Sequence, residues 1–329
     1  MMRTRRLLTW ILILELVVTG GLVIRRTSRS DPPRIDAEQL VDSITDDDFR
    51  RLEDAARDGG GREWRELATA YAVYGFFPDA EACCRHAAQL DPSSFEIHYL
   101  WGIVLNRLGR MAESNDRLQR AIVLGTPRQG NDCWYLVGRN LLRMESAQEA
   151  EAAFRKAAPL PRARYHLAFL LARQENLDEA LPLIERLQAE QPEIHTFHQL
   201  RARVEATRGN EQAAIKFRQL AEQSPEDLGT DTAADFLAEQ TPRFGIDRKI
   251  VETGTILQRG DLGGAIANLE EVLEASFRPR VARLLARLQM QNRRPGEAGK
   301  ILRRLIEEHG GTPDDRKALD RVDSGSRQP

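Results

Sequence analysis

The sequence has few of the residues that mark disulfide-rich, aromatic-rich or nucleic-acid-binding proteins. Of its 329 residues three are cysteines, 6% are aromatic, and the net charge is −2. Three cysteines do not make a disulfide framework, and the lack of a basic excess argues against a nucleic-acid partner. Cys84 falls within a helical pattern and is expected to be a small buried apolar residue.

The sequence also lacks the motifs of common catalytic and nucleotide sites. It contains no phosphate-binding glycine loop, no nucleophile elbow and no cysteine-pair metal motif, and the glycines at 59–61 follow a helical segment rather than a strand. His195 and His198 share a helix face, but two histidines lack the further ligands of a tight metal site. We therefore predict that the chain is not an enzyme, with no catalytic residue, metal, cofactor or small-molecule substrate.

One long apolar run is present near the start, at residues 7–24, and arginines flank it on both sides. Its length is at the short end for a transmembrane helix, so we predict a single-pass signal-anchor over residues 1–24. A cleaved secretory signal is the alternative. The flanking arginines leave both orientations open; we expect the rest of the chain outside the cytoplasm, with a cytoplasmic location as the alternative.

Glu15 is the ionisable residue within this apolar run. A carboxyl group inside a membrane is costly, so it is expected to contact a polar group on another membrane helix. The alternative is that a weak anchor simply tolerates it in its protonated form.

A 34-residue self-similarity is the most informative pattern, and it is clearest at 61–94. Apolar and small residues recur there at motif positions 4, 7, 8, 11, 15, 20, 24, 27 and 32, namely Trp64, Leu67, Ala68, Tyr71, Gly75, Ala80, Cys84, Ala87 and Pro92. This spacing resembles the tetratricopeptide repeat (TPR), a helix–turn–helix unit that stacks into an α-solenoid. Small residues at positions 8 and 20 let the two helices of a unit cross closely.

The pattern divides the chain into segments. Residues 25–60 are predicted to be a linker and a capping helix, and 61–224 to hold about five repeats, with later units starting near Phe95, Asn131, Pro161 and Ile194. Residues 225–245 are predicted to be an irregular connector with one short helix, 246–310 two degenerate repeats, and 311–329 a disordered tail. The expected fold is all-α, a TPR-type solenoid preceded by one transmembrane helix.

The resemblance also implies a binding surface, because in TPR arrays first-helix positions 2, 5, 9, 12 and 13 line the concave face. Carried over, these positions hold a recurring tyrosine and a recurring arginine. The candidate groove residues are Arg62, Arg65, Tyr99, Asn106, Arg107, Tyr135, Arg139, Arg143, Arg162, Tyr165, Phe169, Arg173 and His198. Such a groove can stack on an extended peptide and pair with its carboxylates. The alternative is that these residues belong to solvated helix faces and pair with neighbouring acids.

The chaperone-tail carboxylate clamp of this family uses Lys and Asn at set positions, and this chain does not match it. Of the residues at those positions only Arg65 is similar in charge; the others are Thr69, Leu100, Asp132 and Leu136. The expected function is therefore a membrane-anchored adaptor that binds a protein partner, including an extended acidic peptide, in its groove. It resembles bacterial single-span TPR proteins of envelope assembly, secretion or cytochrome maturation. The alternatives are a structural subunit of a larger membrane machine, held by its anchor or convex face, and a secreted binding protein if the apolar run is cleaved.

Overall fold

The computed structural model describes residues 31–35, 42–226, 228–229 and 232–325. Within these ranges the regular structure is helical, with one isolated β-bridge between Ile194 and Glu226. The prediction of an all-α fold is confirmed.

The helices follow one another as antiparallel pairs. Helix α1 spans Ser43–Asp58 and precedes five pairs: α2 (Gly61–Val73) with α3 (Phe77–Leu90), α4 (Phe95–Arg107) with α5 (Met111–Leu124), α6 (Pro127–Arg143) with α7 (Ala147–Lys156), α8 (Pro161–Arg173) with α9 (Leu177–Glu190), and α10 (His195–Thr207) with α11 (Glu211–Gln223). The connector contains α12 (Thr232–Gln240) and a 3-10 turn at Thr241–Arg243. Two further pairs follow, α13 (Gly245–Gln258) with α14 (Leu262–Ala275) and α15 (Pro279–Gln291) with α16 (Pro295–His309), and then α17 (Pro313–Gly325).

Small residues stand where the two helices of a pair cross. A Cβ placed on Gly102 would lie 2.7 Å from the Leu118 side chain, and one on Gly138 would lie 2.6 Å from the Phe154 ring. The hydroxyl of Ser114 donates a 2.7 Å hydrogen bond to the Gly102 carbonyl. The pairs can approach this closely only because motif positions 8 and 20 carry no bulky side chain.

The turn between the helices of a pair needs a left-handed residue. Gly75 and Gly109 supply it with φ of 85° and 78°, whereas Glu145 and Glu175 adopt φ of 62° and 61° at the same point of the third and fourth pairs. A side chain is strained in this region, and glycine is not.

Replacing Glu145 or Glu175 with glycine is therefore expected to stabilise the protein by about 0.5–1 kcal/mol each. Chemical denaturation of each variant measures this. Gly109→Ala is the matched reverse change, since a Cβ there meets no atom within 4 Å and only the backbone strain acts. Destabilisation by Glu145→Gly would contradict this explanation of the turn.

The C-terminal half is joined to the N-terminal helix. Helix α1 packs on α2 and also contacts α13 and α14. The buried carboxylate of Asp48 accepts hydrogen bonds from the Gly245 backbone N–H (2.7 Å) and from Arg248 Nε and Nη2 (3.0 and 2.8 Å). Helix α1 is therefore more than a cap on the first pair: it connects the first pair to the sixth.

A disordered tail was predicted over 311–329, but residues 313–325 form α17, and this helix packs on α16. Val322 is buried, with Ala318 and Leu319 beside it in the same apolar cluster. Asp315 receives two hydrogen bonds from Arg283, of 2.8 and 2.9 Å. The segment is polar in overall composition, but it contains a short apolar stripe, and this stripe packs against the preceding pair.

The prediction of a single-pass membrane protein is corrected. Among the helices of the described ranges, none combines the length and the apolar character that crossing a bilayer requires. The run at 7–24, with Glu15, lies outside the described residues.

Candidate functional site

The first helices of successive pairs form one layer of the structure. Helix α2 contacts α4, and α8 contacts α10, while the connector helix α12 lies against α2 and α6. In a stack of helix pairs the first helices face the inside of the curve, so we call this layer the concave face. Helix α12 therefore covers the part of that face near the N-terminus.

A cleft of about 520 Å³ remains between α12 and the concave face. We call it the N-terminal cleft. The pairs contribute Arg65, Thr69, Tyr99, Asp132 and Arg162 to its walls, and the connector contributes Asp235, Phe236, Glu239 and Arg243. Three of the predicted groove residues, Arg65, Tyr99 and Arg162, are thus brought together.

Helix α12 is held by buried apolar residues, by an aromatic contact and by ion pairs from the helix and from the 3-10 turn after it. The ring of Phe236 meets the ring of Tyr99 edge-on, with centroids 5.3 Å apart. Asp235 pairs with Arg162 at 3.4 Å, and Arg243 beyond the helix pairs with Glu66 at 2.5 Å. Burial raises the pKa of the Tyr99 hydroxyl, so this ring acts as a neutral, largely apolar surface.

The concave face continues beyond α12 along α8 and α10. The guanidinium of Arg173 lies 6.0 Å from the centroid of the Phe169 ring, and that of Arg203 lies 5.7 Å from it. Tyr165 packs beside Phe169 with centroids 6.5 Å apart. We call Phe169, Arg173 and Arg203 the aromatic–arginine patch.

Arg143 occupies the place on α6 that Arg173 occupies on α8, at the last residue of the helix. Arg143, Arg173 and Arg203 are exposed, and within the described part of the chain none of the three forms an ion pair. By contrast, arginines such as Arg155 and Arg201 bridge two acids each. The concave face therefore carries three arginines whose charge no ion pair among the described residues takes up.

The recurring tyrosines differ in burial. Tyr135 is fully buried against Phe154 and His166, and its hydroxyl accepts a 3.5 Å hydrogen bond from Arg139. Its ring is therefore not open to a peptide, in contrast to the prediction that it stacks on one. Burial depends on how adjacent pairs meet, and motif position alone does not reveal that.

Asn106 belongs to an amide network rather than to an open groove wall. Its side chain donates to Asn140, whose own amide donates to Ser114 Oγ at 3.0 Å and to Asn115 Oδ1 at 2.8 Å. Asn140 is fully buried. The network ties α4, α5 and α6 together, so Asn106 positions neighbouring pairs.

His198 points towards the second helices and is buried. Its Nε2 donates to the Pro192 carbonyl at 2.7 Å, Nδ1 lies 2.8 Å from Gln188, and the ring stacks on Phe217. His98 makes the equivalent bond to Pro92 at 3.1 Å. The fifth pair therefore starts at His195, one residue later than predicted, and this shift removes His198 from the groove.

The two remaining predicted arginines are exposed. Arg62 lies in the first turn of α2 and Arg107 at the end of α4. The Arg107 guanidinium lies 5.7 Å from the centroid of the Phe77 ring. Both lie on first helices, and neither lines the N-terminal cleft.

Two contributions to the site were not predicted. Arg203 was missed because the fifth pair was read one residue out of register. The residues of α12 were missed because no local pattern shows where a connector helix will pack. Its apolar spacing, with Ala233, Phe236 and Leu237 on one side, is the one signal that it covers another surface.

Comparison with known proteins finds a match to a repeat family over part of the chain. A sequence profile described as tetratricopeptide repeat matches residues 135–193, 165–227 and 257–315. Among curated proteins no match is found.

Solved structures resemble the chain at low identity. A crystal structure of MamA is 18% identical and covers 48% of this chain and 94% of its own, with a TM-score of 0.45. MamA from Desulfovibrio magneticus RS-1 is 18% identical, covers 50% and 93%, and has a TM-score of 0.45. YrrB, titled a TPR protein with an unusual peptide-binding site, is 20% identical, covers 61% and 100%, and has a TM-score of 0.44. The repeat profile and the helix pairs together show that the chain contains tetratricopeptide repeats and folds as a TPR-type α-solenoid.

Proposed function

We propose that the protein is a non-catalytic scaffold whose concave face binds an acidic segment of a protein partner. The observation that supports this is the set of exposed arginines around Phe169. Arg173 and Arg203 lie near one aromatic ring, and with Arg143 they form no ion pair within the described residues.

The chemistry of the patch favours carboxylates over other ligands. A guanidinium offers several donors in a plane and binds a carboxylate through two hydrogen bonds at once. The Phe169 ring beside it gives an apolar surface on which an aromatic side chain can pack. An acidic peptide that contains an aromatic residue satisfies both parts.

The alternative of solvated arginines paired with neighbouring acids fits other parts of the surface. Arg110 and Glu113, for example, pair at 2.5 Å one turn apart. Exposed pairs of this kind contribute little and leave no charge for a ligand. The patch differs because Arg173 and Arg203 form no such ion pair in the part of the chain that the structure describes.

The variant Arg143→Ala/Arg173→Ala/Arg203→Ala is expected to bind an acidic peptide about ten- to a hundred-fold more weakly than the wild type, because each exposed charge contact contributes about 0.5–1 kcal/mol. The probe is a short fluorescent peptide in which Glu alternates with Ala around one Phe. Fluorescence anisotropy measures its affinity, which should fall as salt is added.

Two controls separate the patch from general charge. The variant Arg259→Ala/Arg294→Ala/Arg316→Ala removes the same charge from exposed positions of the C-terminal units and should bind the peptide as the wild type does. A peptide with Lys in place of Glu should not bind. Equal affinity of the two triple variants would reject Arg143, Arg173 and Arg203 as the site.

A further inference from the structure

The connector helix α12 shows what kind of segment fits the N-terminal half of the concave face. We propose that α12 holds, within the chain, the place of a partner helix with an acidic residue directly before an aromatic one, and that it competes with that partner. The inference rests on the proposed function in that it takes the concave face as the binding surface, but it concerns different residues.

The side chains of α12 divide as those of a groove-bound helix do. Ala233 and Leu237 are buried, and the half-buried Phe236 lies beside Leu237. Their spacing, at i, i+3 and i+4, is the pattern by which an amphipathic helix lays one face into a groove. Tyr99 and the neighbouring apolar residues of α2 and α6 form the groove.

Charge complements this apolar contact. Asp235, next to Phe236, pairs with Arg162, which belongs to the concave face. Glu239, one turn later, also lines the cleft opposite Arg65 and Arg162. The acidic–aromatic pair Asp235–Phe236 therefore meets an arginine and a tyrosine, which are the two residue types that recur along the concave face.

The contacts of α12 are weak enough to be exchanged. The side chains of Arg162 and Asp235 are 29% and 53% exposed, so water competes for their ion pair. The helix contacts the pairs chiefly through α2 and α6, and a cleft of about 520 Å³ remains beside it. A partner helix with the same side chains gains the same contacts, and the competition is set by the high effective concentration of the tethered α12.

The test uses a fluorescent peptide with the sequence of residues 232–243 and the full chain. The variant Asp235→Ala/Phe236→Ala is expected to bind this peptide at least about ten-fold more tightly than the wild type, since its own α12 no longer competes. A matched control, Leu319→Ala/Asp320→Ala in α17, should bind as the wild type does. Equal affinity of the wild type and the α12 variant would overturn the proposal.

A charge swap gives a second readout that loss of folding cannot imitate. Arg162→Glu, added to the α12 variant, should weaken binding of the peptide, and a peptide with Arg in place of Asp235 should restore it. Failure of the swapped peptide to bind better than the original one would also overturn the proposal.

Binding of the 232–243 peptide and binding of the alternating Glu peptide can be tested independently. The variant Arg143→Ala/Arg173→Ala/Arg203→Ala should bind the 232–243 peptide unchanged once α12 carries its two alanines, because none of the three arginines lines the N-terminal cleft. Loss of alternating Glu peptide binding with retention of 232–243 peptide binding would assign the two peptides to different parts of the concave face. A 232–243 peptide that depends on the three arginines would contradict the placement proposed for it.

Discussion

Asp48→Ala is expected to destabilise the protein by about 3 kcal/mol and to separate α1 from α13. The Asp48 carboxylate is buried and accepts three hydrogen bonds, from the Gly245 N–H and from two nitrogens of Arg248. Removing it leaves the buried Gly245 N–H without an acceptor and leaves Arg248 with Glu252 as its remaining acidic partner. Both losses act at one junction, which is why a single residue has so large an expected effect.

Chemical denaturation measures the change in the free energy of unfolding, and hydrogen exchange in α13 measures whether the junction opens. Asp46→Ala is the matched control, because Asp46 lies on the same helix and pairs with Arg50, whose side chain is 66% exposed. That change is expected to cost less than about 1 kcal/mol. Equal destabilisation by the two substitutions would show that Asp48 does not hold the junction.

Acidification is expected to destabilise the protein through His166. The ring stacks on Phe154 with centroids 5.2 Å apart and lies near Tyr135 and Tyr165. Burial among these rings, with a smaller contribution from the Arg139 charge, lowers the pKa of His166 from 6.5 to about 4. The folded protein therefore keeps His166 neutral at a pH where the unfolded chain binds a proton.

The direction follows from the proton count. Between the two pKa values the unfolded chain holds more protons, so the free energy of unfolding falls as pH decreases from 6.5 towards 4. The expected loss from this residue is roughly 2 kcal/mol by pH 5 and about 3 kcal/mol at pH 4.

His166→Phe isolates that contribution, because phenylalanine has a ring of similar size and no titrating group. Denaturation of the wild type and the variant between pH 7 and pH 4 should give free energies that diverge, with the variant losing less. Parallel curves would show that His166 does not remain neutral in the folded protein. Other groups also titrate in this range, but they titrate in both proteins and cancel in the difference.

The local sequence predicted the helix pairs because the residues needed to form a pair lie within that pair. A small residue at the crossing of the two helices, as at Gly138, and a left-handed turn residue, as at Gly109, are needed wherever two helices fold back on each other. The presence of glycine does not by itself identify this turn, because Glu145 adopts the same left-handed conformation at a cost in backbone strain.

The register of the fifth pair could not be derived from the pattern alone. Ala213 and Ala214 are adjacent, and either can stand at the crossing point, but Ala214 is the one that is buried. Placing Ala213 instead of Ala214 at the crossing point shifts the motif position of every residue in that pair by one. It placed His198 in the groove and left Arg203 out of it.

Long-range packing accounts for the rest of the difference. Tyr99 and Tyr135 have the same motif position, yet Tyr99 lines a cleft and Tyr135 is fully buried. The path of α12 across α2 and α6 depends on where the whole array returns in space. A periodic pattern describes contacts within a pair and between neighbouring pairs, and the contacts of α12 with α2 and α6 are neither.

Photo-crosslinking locates the bound acidic peptide on the protein directly. Gln199 is exposed on α10, one turn before Arg203, so a benzoylphenylalanine there would face the patch without removing any of its residues. Val123, 75% exposed on the second helix α5, is the control position. We expect the alternating Glu peptide to crosslink from position 199 and not from 123, and unlabelled peptide to compete. Crosslinking from 123 alone, or equally from both positions, would contradict a peptide site on the concave face.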